Sequence, residues 1–142
     1  MKKLLIAHRG NVNGPNHIDE NNPEYINVAL DNGYDVEVDV WLIDNEWWLG
    51  HDSPQYKVDY EFFTTKMWLH CKNYNALQEL SRSGFNCFYH TDEDYVLTSF
   101  HWIWAYPGQS GGKNTICVMP EYTNQSVNEF SGICSDFVEK YK

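Results

Sequence analysis

Between Tyr34 and Asp52 the chain reads YDVEVDVWLIDNEWWLGHD, and this stretch limits the fold more than any other. Val36, Val38 and Val40 alternate with Glu37 and Asp39. Successive side chains of a strand point to opposite faces, so the valines share one face and the two acids the other. The valine face is built for burial against helices. Two like charges on the other face are costly unless something cationic lies between them. The fold must therefore cover this strand behind and supply cations in front. Asp44-Asn45 makes a turn, Glu46 to Leu49 returns as a strand, and Gly50-His51-Asp52 follows at once.

The flanking segments place that strand in a βαβ unit. Lys3 to Ala7 is a short apolar run, the pattern of a strand buried on both faces. A loop rich in Asn, Gly and Pro covers Asn11 to Asn21. Asn22 is an N-cap, Pro23 the first helical residue, and Gly33 a left-handed stop. Asp35 to Leu42 is then a second strand parallel to the first. A short helix is expected near Asp59 to Thr64. Met67 to Cys71 is the third parallel strand, Asn73 caps a helix closed by Gly84, and Phe85 to Tyr89 is the next strand. Tyr95 to Leu97, Trp102 to Tyr106, Ile116 to Met119 and Ile133 to Ser135 read as further strands, with a last short helix over Tyr122 to Phe130. The alternation gives an α/β class, and residues 1–142 make one domain. A full (β/α)8 barrel takes about 250 residues. Seven or eight strands fit here only if several outer helices are missing.

Composition narrows the partners. Ten basic against twenty acidic residues leave a formal charge of -10, which argues against nucleic-acid and anionic-membrane binding. A small phosphorylated substrate is compatible, because a bound divalent metal inverts the local charge. The four cysteines form no CxxC pair and sit in or beside apolar runs, so they read as reduced core residues. The apolar segment Leu4 to Ala7 is too short for a signal-peptide core, and no run approaches the roughly 18 apolar residues of a membrane span. A soluble, cytoplasmic protein is the expectation.

Parallel α/β folds collect their reactive groups at the C-terminal ends of the strands. His8 and Arg9 follow the first strand, Glu37 and Asp39 lie in the second, His51 follows the hairpin, His70 and Lys72 end the third strand, and His90 ends the fourth. Carboxylates at i and i+2 can chelate a hard divalent cation. Arg9 and Lys72 can hold a phosphate. Two histidines can act as general base and general acid on opposite sides of phosphorus. Together these describe metal-assisted cleavage of a phosphodiester.

Those same residues resemble a family. IAHRGN, then Glu20-Asn21 ahead of a helix, GYDVEVDV and LGHD look like the glycerophosphodiester phosphodiesterases, members of the phospholipase-C-like phosphodiesterase superfamily of TIM barrels. The motifs occur in order over residues 4 to 52, and Gly132 to Phe137 is similar to the family's last strand. The resemblance implies a reduced (β/α)8 barrel and a hydrolase of lipid metabolism acting on a glycerophosphodiester or similar small phosphodiester. It implies His8 and His51 as the acid/base pair, Arg9 and Lys72 on the phosphate, and a metal on Glu37 and Asp39. The family's third metal ligand is a Glu; His70 stands in its place. Mg²⁺ or Ca²⁺ is the implied ion, with Mn²⁺ or Zn²⁺ the alternatives that His70 introduces. Glu20, His90, Trp104, Tyr106 and Glu121 are further candidates for the pocket. Two rival readings share the scaffold: a non-catalytic phosphate-binding or regulatory module, and a phospholipid phosphodiesterase or lyase that releases a cyclic phosphate. Missing outer helices would leave apolar strand faces for a homodimer to cover.

Overall fold

The structure, a computed structural model, describes residues 2–142. Hydrogen bonding gathers ten strands into one sheet. They are β1 (Leu4–His8), β2 (Asp35–Ile43), β3 (Glu46–Leu49), β4 (Tyr56–Val58), β5 (Met67–Cys71), β6 (Asn86–Tyr89), β7 (Tyr95–Leu97), β8 (Ile103–Ala105), β9 (Thr115–Val118) and β10 (Gly132–Ser135). The helices are α1 (Pro23–Asp31) and α2 (Tyr74–Ser81). Parallel pairing runs in the order β6-β5-β2-β1-β10-β9-β8. β7 adds to β8 antiparallel, and the β3–β4 meander adds antiparallel to the far half of β2.

This is a curled half-barrel, mostly sheet, and not the (β/α)8 barrel expected. Only two short helices are present among the described residues, and no ladder joins β6 to β7 or β8. The cause is in the connections. Both helices form where caps exist: Asn22 accepts from the Glu24 N–H, and Asn73 from the Ala76 N–H. After β8 the chain carries Pro107, Gly108, Gly111 and Gly112, which favour turns. The helix expected over Tyr122 to Phe130 is absent: Pro120–Tyr122 makes one 3₁₀ turn, and Asn124 is left-handed at φ 50°. The helix expected near Asp59 to Thr64 is likewise a single 3₁₀ turn, Tyr60–Phe62. The free edge of β6 is satisfied locally instead. Ser99 donates its N–H to the Cys87 carbonyl, and its hydroxyl accepts from the Cys87 N–H.

Two layers of core follow. Val36, Val38 and Val40 are fully buried on the convex side against Ile26 and Ala29 of α1 and Ala76 and Leu80 of α2. The concave side is filled by Ile6, Trp68, Phe88, Trp104, Ile116 and Cys134. Trp104 of β8 reaches β5 and β6 across the unpaired seam, 5.4 Å from the Trp68 ring and 5.0 Å from Phe88. Large aromatic side chains thus bridge what the backbone leaves open. All four cysteines are free and buried, and no described helix is long and apolar enough to cross a membrane.

Candidate active site at the strand ends

Strand register brings the charged residues together. β1 lies beside β2 with His8 opposite Glu37, and β5 lies on the other side with His70 opposite Asp39. Both acids are buried, Glu37 at 3% exposure and Asp39 at 0%. His70 Nδ1 is 3.1 Å from Asp39 Oδ1 and 3.5 Å from Glu37 Oε2. Each carboxylate has its other oxygen held from behind. Asn21 Nδ2 donates to Asp39 Oδ2 at 2.9 Å, and the Arg9 N–H donates to Glu37 Oε1 at 3.3 Å. Asp39 Oδ1 is buried and accepts no hydrogen bond. His70 stacks on Phe88, with Nε2 3.4 Å from the His90 carbonyl oxygen. Glu37, Asp39 and His70 each offer one donor atom, all within 4.8 Å of one another, and could hold a metal ion.

The two expected acid/base histidines have different settings. His8 Nδ1 is 2.8 Å from Asp136 Oδ1, and its Nε2 faces Glu37 Oε1 at 3.8 Å. Asn11 braces this pair, donating to both Asp136 and Glu20 at 2.9 Å. His51 follows Gly50, whose φ of 153° and whose approach to the Ser53 carbonyl leave no room for a Cβ. A nitrogen of Arg9 lies 2.8 Å from His51 Nδ1. Guanidinium only donates, so the His51 nitrogen that accepts this bond carries a lone pair. Arg9 itself is left-handed, φ 56°, with its backbone tied to Glu37 and Asn21. That turn throws the guanidinium over the acids, 3.2 Å from Glu20 and 3.5 Å from Asp39.

One cavity of about 270 Å³ is lined by His8, Arg9, Glu37, Asp39, His51, His70, Lys72, His90 and Trp104, with Thr91, Tyr106 and Val118 completing its wall. No family model, curated protein or solved structure matches this chain. The chemistry of the site therefore rests on its own residues. Glu20 stands behind the cavity, holding Arg9. Glu121 lies elsewhere: it accepts from the Ser135 and Tyr141 hydroxyls, beneath the sheet end. Asp136 and Asn11 extend the set expected from sequence, and Tyr106 lines the cavity as expected. Tyr106 stacks on His90 at 3.7 Å. The sequence signal for Asp136 was its place at the end of the last strand, the position that also yields His8 and His90.

The electrostatics follow from these contacts. Burial alone would lower His8, but the Asp136 hydrogen bond and the Glu37 charge lift it above the ordinary histidine value. Burial opposes charge on His70 too, yet the adjacent Asp39 and Glu37 carboxylates hold it up at about 9. Burial would raise the Asp39 carboxyl, and His51, His70 and Arg9 outweigh it and hold it well below the carboxylate range. His90 is lowered by burial and then by the charge of His70. A proton on His70 Nδ1 and a metal ion are alternatives for one lone pair.

Proposed function

We propose that this chain is a metal-assisted phosphodiesterase for a small phosphodiester, and a shortened relative of the glycerophosphodiester phosphodiesterases. The observation that carries the reading is convergence: two histidines with different partners, Asp136 for His8 and Arg9 for His51, two cationic side chains and a three-donor acidic cluster line one small cavity. The donor set fits a divalent cation, because Asp39 Oδ1 is a buried acceptor without a partner. A cation held by Glu37, Asp39 and His70 would neutralise charge on the phosphoryl oxygens.

The side chains divide the remaining work. Arg9 and Lys72 hold the phosphate, Arg9 by its fork and Lys72 as a point charge. His51, with a lone pair free once Arg9 turns to phosphate, takes the proton from the substrate's neighbouring hydroxyl. That oxygen bonds to phosphorus as the bond to the leaving alcohol breaks. His8, kept protonated by Asp136, gives its proton to the departing oxygen. The product is a cyclic phosphate and a free alcohol. Water then opens the ring with the roles reversed: His8 takes the proton from water, and His51 returns one to the ring oxygen.

The test is a phosphodiester screen with divalent metals present. His8→Ala and His51→Ala should each lose at least about 10³-fold in turnover while keeping the wild-type circular dichroism spectrum. Wild-type turnover of a glycerophosphodiester by either variant sinks the reading. One observation favours a second reading, a phosphate-binding module: Arg9 already occupies the His51 lone pair. It predicts calorimetric binding of inorganic phosphate with no product in any metal. Phosphorus NMR separates hydrolysis from a lyase-like stop at the cyclic phosphate.

The expected placement of the chain is proposed on the same footing. Four free thiols suit the cytoplasm. Tyr89, Tyr95, Leu97 and Phe100 are exposed along the β6–β7 seam, the surface a second copy would cover. A monomer by light scattering at micromolar concentration would remove the dimer.

A further inference from the structure

We infer that Glu37, Asp39 and His70 form a site selective for a borderline transition ion, Mn²⁺ or Zn²⁺, over Mg²⁺ and Ca²⁺. The inference rests on the metal-assisted reading above and adds the identity of the ion.

Three observations carry it. The first is spacing. Donors in cis positions on an ion with bonds of about 2.2 Å lie about 3.1 Å apart. The Nδ1 to Oδ1 and Nδ1 to Oε2 edges are 3.1 Å and 3.5 Å. Both edges from the imidazole nitrogen thus admit one ion, with all three donor atoms within 4.8 Å of one another, and the choice among ions falls to the outer shell and the supply of oxygen. The second is the outer shell. His70 Nε2 faces the His90 carbonyl, and Phe88 fixes the ring plane. A histidine whose remote nitrogen donates to a carbonyl presents the lone pair of its near nitrogen, the arrangement found behind metal-ligating imidazoles. Asn21 does the same for Asp39, engaging Oδ2 and leaving Oδ1 bare. The third is the shortage of oxygen. Ca²⁺ takes six to eight oxygen ligands, and Mg²⁺ prefers an all-oxygen octahedron. The other carboxylates of the site are engaged, Glu20 with Arg9 and Asp136 with His8. Imidazole in a mixed nitrogen and oxygen set suits Mn²⁺ and Zn²⁺.

The experiment is calorimetric titration of the metal-stripped full chain with each of the four ions, with pulsed EPR of the Mn²⁺ form. Mn²⁺ and Zn²⁺ should bind one equivalent at least tenfold more tightly than Mg²⁺ and Ca²⁺. The Mn²⁺ spectrum should carry a nitrogen-14 coupling that His70→Gln abolishes. His70→Glu should weaken Mn²⁺ and Zn²⁺ by about 10- to 100-fold and bring Mg²⁺ level with them. Mg²⁺ or Ca²⁺ binding as tightly as Mn²⁺ in the wild type overturns this inference and leaves a metal-assisted enzyme standing. So does a Mn²⁺ spectrum without nitrogen coupling, which needs no variant to fold. Failure of all four ions to bind overturns the inference together with the metal centre beneath it.

Discussion

Asp136 accepts a 2.8 Å hydrogen bond from His8 and fixes which imidazole nitrogen carries the mobile proton. Asp136→Asn keeps the shape and removes the charge, so kcat should fall by roughly 10²-fold or more. The same substitution moves the pH profile. His8 sits above its ordinary value in part through Asp136, so the acid it supplies is lost as pH rises through that raised value. In Asp136→Asn the alkaline limb of the rate profile should shift to lower pH; an unmoved limb would assign the proton to another group. Stability changes on the acid side. Burial tends to raise the Asp136 carboxyl, but the His8 bond holds it below 3.8. A depressed carboxyl stabilises the fold above its unfolded value, and that contribution drains away as pH falls through the folded one. Urea midpoints between about pH 5 and pH 2 should fall more steeply for wild type than for Asp136→Asn. The charge pattern of His8, Glu37, Asp39 and His51 was legible in the sequence because the residue types declare it. Asp136 was not, since one acid after a final strand has nothing beside it in sequence to mark it as a histidine's partner.

Among the elements, the loop ahead of α1 is what joins the helix to the metal-facing strand. Asn21 is left-handed at φ 66°, donates to Asp39 Oδ2 and accepts from the Asp39 N–H at 3.0 Å. Asn21→Ala loses both bonds and puts a residue without asparagine's tolerance of the left-handed region there, which should cost about 2–4 kcal/mol. Asn21→Gly loses the bonds but keeps the turn, so it should recover about 1 kcal/mol of that in urea unfolding. Equal losses would show that the turn carries no strain. Sequence placed Asn21 just ahead of the helix and could not show that it anchors Asp39. The strands and both capped helices were legible because period, cap and turn residues agree. The Asp44-Asn45 hairpin is one case, left-handed at both residues. β4 was not: Tyr56–Val58 exists only because β3 presents an edge to it.

At the scale of the molecule, the sequence order of strands pointed to a barrel, whereas closure depends on pairing between distant edges. Local pattern carries no information on that contact, and Trp104 fills the seam where β6 and β8 do not pair. The half-barrel nonetheless puts Glu37 and Asp39 in the cavity wall, with Glu20 and Asp136 braced close by through Asn11, in a chain of net charge -10. A cation bound there stabilises the whole fold, because the unfolded chain does not assemble the donors. At a free ion concentration 100 times Kd the gain is about 2.7 kcal/mol. For 142 residues the unfolding entropy near 60 °C is about 0.3 kcal/mol per kelvin, so Tm should rise by about 9 °C on loading and fall back with EDTA. His8→Ala, which removes no donor of the cluster, should keep the rise, while His70→Gln should reduce it by several degrees. A rise undiminished in His70→Gln would place the stabilising ion elsewhere on this acidic surface. No rise in wild type would mean that Arg9 and the protonated His70 already balance the two acids of β2.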